Sequence, residues 1–187
     1  MRALILLASC LALVAGGCGS DAAEGDDVNR KFSDLLGGQG ERDAKVLGEF
    51  NRALTPLAKA DIAIVKAFAA EDLAAAQNGI DRIRKAATKG TAAAEKAEGA
   101  KLREFLTGYA GGARGVADAY QRVIDRPNAT EDEIVEDITS AKAELLRHDA
   151  QYEKALRAAL PADERDDMDA HIRKMDKQFE DAASGGG

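Results

Sequence analysis

The stretch that decides the fold is Lys101–Leu160, which reads KLREFLTGYAGGARGVADAYQRVIDRPNATEDEIVEDITSAKAELLRHDAQYEKALRAAL. On both sides of Arg126-Pro127-Asn128, apolar residues recur at spacings of three and four, which is one face of an α-helix. The first stripe is Leu102, Leu106, Tyr109, Ala113, Val116, Tyr120 and Val123, and the second is Ile134, Ile138, Ala141, Leu145, His148, Tyr152, Ala155 and Ala159. Thr130 and Glu133 have the spacing of a capping box, which starts the second helix. The stretch therefore predicts an antiparallel helical hairpin.

Two segments with the same spacing precede this hairpin. The first covers about 41–69, where Thr55-Pro56 fits an N-cap followed by proline at the first helical position, so it is one kinked helix or two. Asp61 interrupts its apolar stripe, and we expect a small rotation of the helix to expose this carboxylate. The second covers about 72–98 and keeps its spacing through Asn78-Gly79, so we expect helix across that pair.

The fold class predicted from these patterns is all-α. We expect an antiparallel up-down-up-down four-helix bundle over residues 41–182, which includes an additional C-terminal helix after Pro161. The apolar face of that last helix would be formed by Met168, Ile172, Met175 and Phe179. A weak helical fragment at 28–36 lies within a predicted flexible, acidic and glycine-rich tether over 18–40, and residues 183–187 form a predicted disordered tail.

The N-terminus carries one positive charge at Arg2, an apolar run over 3–15, and then Ala15-Gly16-Gly17-Cys18. The run is too short to span a bilayer and has the length of a signal-peptide core. This N-terminus resembles those of bacterial lipoproteins. The resemblance implies a signal peptide over 1–17, a diacylglycerol on Cys18, and an extracytoplasmic protein held at the membrane by that lipid. A site at Cys10 would leave an apolar core of only about six residues, below the usual length.

The charge and cysteine content exclude several function classes. Loss of 1–17 removes only Arg2 among the charged residues, which leaves 25 basic and 33 acidic residues and a net charge of −8. Such a balance argues against binding nucleic acid or anionic headgroups through bulk charge. With Cys10 removed and Cys18 lipidated, the mature chain has no thiol for catalysis or metal binding.

Candidate site residues lie in the hairpin, where Tyr109 and His148 are expected at the same level, with Tyr152 one turn further on. The nearby run of small residues, Gly108, Gly111, Gly112 and Gly115, is costly inside a helix and therefore needs a local reason. One interpretation is a pocket for a small molecule or haem, formed by His148, Tyr109, Tyr152, Gly108 and Gly112. The other is close helix packing, with an interior histidine hydrogen-bonded to tyrosine. In either case burial should lower the pKa of His148.

No catalytic residues, metal ligands or cofactor are expected. The chain has no phosphate-binding glycine loop, serine elbow, zinc motif or covalent haem motif. Neither His148 nor His171 follows a glutamate by three residues, as a di-iron bundle requires. The sequence therefore favours a non-enzymatic module for protein interaction or envelope scaffolding, with a membrane and a protein as partners. The alternative is a bundle that binds a small ligand or haem.

Overall fold

The computed structural model describes residues 22–162, 164–166, 169–170, 173 and 177. Within them the chain forms six α-helices and no strand: α1 (Ala22–Leu35), α2 (Gly40–Leu54), α3 (Pro56–Ala69), α4 (Leu73–Ala94), α5 (Ala100–Asp125) and α6 (Glu131–Ala159). The predicted all-α class is therefore confirmed. The predicted signal peptide, Cys18, the tail at 183–187 and the four residues on the face of the C-terminal helix lie outside the described residues.

The junction between α2 and α3 answers the question left open for residues 41–69. Two helices are joined by the single residue Thr55, which itself has helical dihedral angles. Pro56 lacks an N–H group, so it interrupts the hydrogen-bond ladder although the backbone keeps a helical path. Thr55 occupies the N-cap position and Pro56 the first helical position, as predicted. The Thr55 hydroxyl does not cap α3, however, because it donates backward to the carbonyl of Asn51 at 3.0 Å.

Helix α4 is continuous across Asn78-Gly79, as the spacing predicted. Asp72 caps its start by accepting a hydrogen bond from the N–H of Ala75 at 2.9 Å. Gly79 lies so close to α3 that an added Cβ would stand 2.4 Å from a side-chain carbon of Ile64. A Cβ on Gly90 would likewise lie 2.9 Å from Leu54 of α2. The two glycines therefore let α4 approach α2 and α3 closely.

Helices α5 and α6 form the predicted hairpin. Both bonds of the capping box are present: the Thr130 side chain accepts from the Glu133 N–H, and the Glu133 carboxylate accepts from the Thr130 N–H at 2.8 Å. Gly112 lies directly against Leu145, and the rings of Tyr109 and His148 are 6.3 Å apart. These pairs confirm the antiparallel register expected from the stripes.

Helix α1 corrects the predicted domain boundary. Phe32 is fully buried, Leu36 is nearly so, and the Phe32 and Tyr152 rings pack edge to face with their centres 4.7 Å apart. The prediction of a flexible tether over 18–40 is therefore wrong for the second half of that range. Phe32 and Leu36 are buried in the core because large apolar side chains are more stable there than in water. The folded domain begins before residue 41.

A buried carboxylate fixes one end of the domain. Asp43 is fully buried and accepts hydrogen bonds from the backbone N–H groups of Gln39, Glu98 and Gly99 at 2.7–2.8 Å. Burial alone would raise its pKa, but the three donors favour the ionised form and hold the pKa below its usual range. Asp43 thereby joins the turn before α2 to the turn before α5.

The order of contacts places α5 between α4 and α6. Helix α4 also packs on α2 and α3, and α1 packs on α2 and α6. The largest fully buried side chains are aromatic or aliphatic residues contributed by α1 to α6: Phe32, Leu47, Phe50, Leu54, Ile64, Ile80, Leu102, Leu106, Tyr109, Tyr120 and Tyr152. One core thus joins all six helices.

The close approach at Gly79 generates a stability prediction. Gly79→Ala should lower the free energy of unfolding by about 1–3 kcal/mol, because its methyl group overlaps buried Ile64 and forces repacking. Gly111→Ala is the matched control: nothing lies within 4 Å of its Cβ, so the gain in helix propensity should raise stability by about 0.5–1 kcal/mol. Urea unfolding of both variants measures the difference. Equal stabilisation by the two changes would contradict the close packing of α3 on α4.

Candidate functional site

The structure brings together the three ring residues that the sequence singled out. Tyr109 on α5 is buried, and its ring centre lies 6.3 Å from that of His148 and 6.0 Å from that of Tyr152, both on α6. Tyr152 is fully buried and donates to the side-chain carbonyl of Asn51 on α2 at 2.8 Å. The cluster therefore connects the hairpin to α2.

His148 is less buried than its place on the stripe predicted. Its side chain is half-buried, with one edge on Gly108 and the ring 5.6 Å from that of Phe105. A Cβ on Gly108 would stand 2.8 Å from Cε1 of the imidazole, so the glycine provides the space that the ring occupies. Gly112 provides space for the backbone of Leu145, whose Cα would be 3.3 Å from an added Cβ. Both glycines thus face protein atoms.

The expected hydrogen bond between Tyr109 and His148 is wrong. The Tyr109 hydroxyl donates to the carboxylate of Asp149, the residue next to His148. The sequence did contain a signal for this residue, because Asp149 is four residues after Leu145 and three before Tyr152. Residues 148 and 149 therefore both satisfy the helical spacing, and only the rotation of α6 decides which one meets Tyr109.

Asp149 and His148 are neighbouring titratable groups, and the pKa of each is shifted in the direction that favours its uncharged form. Burial raises the pKa of Asp149 to about 7; the Tyr109 hydrogen bond opposes this shift and the charge of Glu153 adds to it. Burial lowers the pKa of His148, as predicted, and Arg147 lowers it further. The Nδ1 atom of His148 is buried, with no hydrogen-bond partner among the described residues.

A second polar cluster lies in the core at the level of α3. Asp61 is buried, accepts a hydrogen bond from the Tyr120 hydroxyl at 2.6 Å, and pairs with Lys142 at 3.3 Å. The expectation that Asp61 would be exposed is therefore wrong. Its burial is possible because Lys142 supplies the opposite charge and Tyr120 a hydrogen bond. Burial and the adjacent Asp61 charge raise the pKa of Tyr120 well above its ordinary value.

The interior between these clusters contains a cavity of about 20 Å³, bounded by Asp61, Tyr109, Leu57, Ile83 and Leu145. A volume of this size holds about one water molecule. Sites for small organic ligands usually have about 300–1,000 Å³. A haem or similar ligand therefore does not fit between Tyr109 and Asp61 without separation of the helices.

The chemistry of the site is that of paired polar groups. Each tyrosine hydroxyl donates to a core partner: Tyr109 to Asp149, Tyr120 to Asp61 and Tyr152 to Asn51. Among the described residues, no three of histidine, cysteine, aspartate and glutamate are grouped so that they could hold a metal ion. These contacts couple α5 and α6 to α2 and α3.

Comparison of the chain with protein-family models, with curated proteins and with solved structures gives no match in any of the three.

The Asp149 environment generates a pH prediction. The folded pKa of about 7 exceeds the unfolded value of about 3.9, so the contribution of Asp149 to the stability of the folded state is greatest below pH 4. That contribution to stability is lost as the pH rises through 7. Asp149→Asn keeps the Tyr109 partner and cannot ionise. The stability of the wild type relative to this variant should therefore fall between pH 4 and 7.5, by up to about 4 kcal/mol.

Chemical denaturation at several pH values measures this relative change. Glu144→Gln, an exposed change on the same helix, is the control and should not alter the slope. A pH-independent difference between the wild type and Asp149→Asn would contradict the raised pKa.

Proposed function

We propose that the chain is a bacterial lipoprotein, anchored on the extracytoplasmic side of a membrane through a lipid on Cys18. The observation that carries the proposal is the N-terminal sequence, in which Arg2, an apolar run over 3–15 and the small residues 15–17 precede Cys18. A diacylated cysteine with a further acyl chain provides the two or more lipid chains that stable anchoring requires.

The position of α1 is compatible with an anchor close to the domain. Ala22, the first residue of α1, follows Cys18 by four residues, a span of at most about 14 Å when extended. Phe32 then joins the same helix to the core. None of the described helices combines the length and the apolar character needed to cross a bilayer. In this proposal the lipid attaches the helical domain to the membrane.

We further propose that the helices form an up-down-up-down bundle, in which α2 and α3 together are the first member and α4, α5 and α6 the others. Residue pairs support an alternating direction: Leu54 meets Gly90, Arg84 binds Asp118, and Gly112 meets Leu145. Beyond α6, the ion pair between Arg157 and Asp169 at 2.6 Å holds Asp169 beside the last turns of α6.

The domain itself is proposed to be a non-enzymatic module for protein interaction or envelope scaffolding. Its core tyrosines and carboxylates are bonded to one another, and the cavity between them holds about one water molecule. Both features support a role that uses the outer surface. The alternative is binding of a small ligand or haem near His148 and Tyr109, and the cavity of about 20 Å³ beside Tyr109 is far smaller than such a ligand needs.

Replacement of the two cysteines tests the anchor. Cys18→Ala should move the full chain from the membrane fraction to the soluble fraction, because the acceptor of the lipid is lost. Cys10→Ala is the matched control and should leave the chain in the membrane fraction, since Cys10 is removed with the signal peptide. Mass spectrometry of the wild type should show an N-terminal acylated Cys18. An unmodified Cys18 would refute the proposal.

A further inference from the structure

Helix α4 carries three exposed basic residues on its outer side. Arg82, Lys85 and Lys89 follow a spacing of three and four and are all exposed, on the side of the helix opposite buried Ile83 and Ala87. None of the three forms an ion pair with the described part of the chain, although Arg84 beside them does. These three residues are the basic face.

Helix α6 carries the opposite charge on its outer side. Asp132, Glu133, Glu136 and Glu144 are exposed, and the one basic residue between them, Lys142, is buried on Asp61. Glu144 also forms an exposed ion pair with Arg147 at 3.5 Å, so the excess negative charge is concentrated at the start of the helix. Asp132 and Glu136 make no ion pair with the described residues. The four exposed carboxylates are the acidic face, which extends over about 18 Å of helix.

The two faces point to different sides of the domain. Helix α5 lies between α4 and α6 and contacts both, so the outer surfaces of α4 and α6 diverge. Opposite charges on opposite sides cannot neutralise each other within one copy. They are accessible to a second copy.

The faces also lie at similar heights. Arg84 binds Asp118 on α5, and Gly112, six residues earlier on α5, meets Leu145. Because α4 and α6 both run antiparallel to α5, they run parallel to each other, and the basic face lies level with about residues 137–144 of α6. That range overlaps the acidic face. A second copy displaced sideways, without rotation, therefore brings unlike charges together.

We infer that the basic face of one copy binds the acidic face of a neighbouring copy, so that copies associate side by side. The inference rests on the proposed anchored scaffold and deepens it by naming the partner as a second copy of this chain. Translation keeps every N-terminus on the same side, as one membrane requires. Such a heterologous contact repeats from copy to copy and produces rows.

A second copy is a better occupant than an anionic lipid surface. The mature chain has an excess of acidic residues, so the domain as a whole is repelled by anionic headgroups. Exposed ion pairs are individually weak and screened by salt, so the contact needs a high local concentration. Anchoring to one membrane supplies that concentration.

Cysteine cross-linking of the full chain in bacterial cells tests the contact. Asn78→Cys lies on α4 one turn before Arg82, and Ser140→Cys lies between Glu136 and Glu144; both positions are exposed and uncharged. By the register above, the two positions differ in height by about seven residues, or about 10 Å of helix. The two variants therefore carry different tags, are co-expressed, and are treated with a bismaleimide whose spacer is longer than this offset. We expect a mixed dimer, and no dimer from either variant expressed alone.

Charge reversal on the same background decides whether the faces make the contact. Arg82→Glu with Lys89→Glu on the Asn78→Cys copy should abolish the mixed dimer. Asp132→Lys with Glu144→Lys on the Ser140→Cys copy should also abolish it. Combining the two reversed copies should restore the product, because the charges are again complementary. Circular dichroism of each variant verifies that the fold is retained.

Lys45→Cys with Glu104→Cys is the control pair, since both positions are exposed but lie on α2 and α5. An equal yield from this pair, or a dimer that survives either single reversal, would overturn the inference. A different result would also overturn it: the wild type binds phosphatidylglycerol vesicles, the Arg82→Glu and Lys89→Glu changes abolish that binding, and the cross-link is unchanged.

The wild type, treated with the same bismaleimide, tests the anchor separately. A wild-type dimer would report a free thiol at Cys18 or Cys10 and would count against lipidation alone.

Discussion

The buried ion pair between Asp61 and Lys142 is the constraint on which the helix arrangement depends. Both side chains are 3–4% exposed, and Tyr120 from a third helix donates to the same carboxylate. Removing either partner from a buried pair costs several kcal/mol, because the remaining charge is left uncompensated. Any sliding or rotation of α6 that separates Lys142 from Asp61 carries that cost. Hydrophobic contact alone distinguishes poorly between alternative packings of the apolar faces. The pair therefore favours the one register of α3, α5 and α6 in which Lys142 reaches Asp61.

Other polar contacts in the interior also fix the positions of the helices relative to one another. Tyr152 binds Asn51 at the level of α2, Tyr109 binds Asp149 within the hairpin, and Asp43 joins two turns at one end. Each contact satisfies a buried group that would otherwise be costly. These groups bind one another across helices and thereby hold the helices together. This supports the proposal that the domain acts through its surface.

Periodicity in the sequence predicted much of the fold. It identified α4 across Asn78-Gly79, the capping box at the start of α6 and the α5–α6 register, because spacing and capping are local properties. It missed the burial of α1 and Asp61, because each depends on a partner far along the chain. It also chose His148 over Asp149 as the partner of Tyr109, since both fit the helical spacing and only packing fixes the rotation of α6.

A double-mutant cycle on Asp61 and Lys142 tests the central claim most directly. Asp61→Leu, Lys142→Met and their combination are compared by urea unfolding. If the pair sets the register, each single change should destabilise the domain by about 3–5 kcal/mol, and the double variant by less than either. Two small and additive losses, of about 0.5 kcal/mol each, would contradict it, because they would place both charges in contact with water.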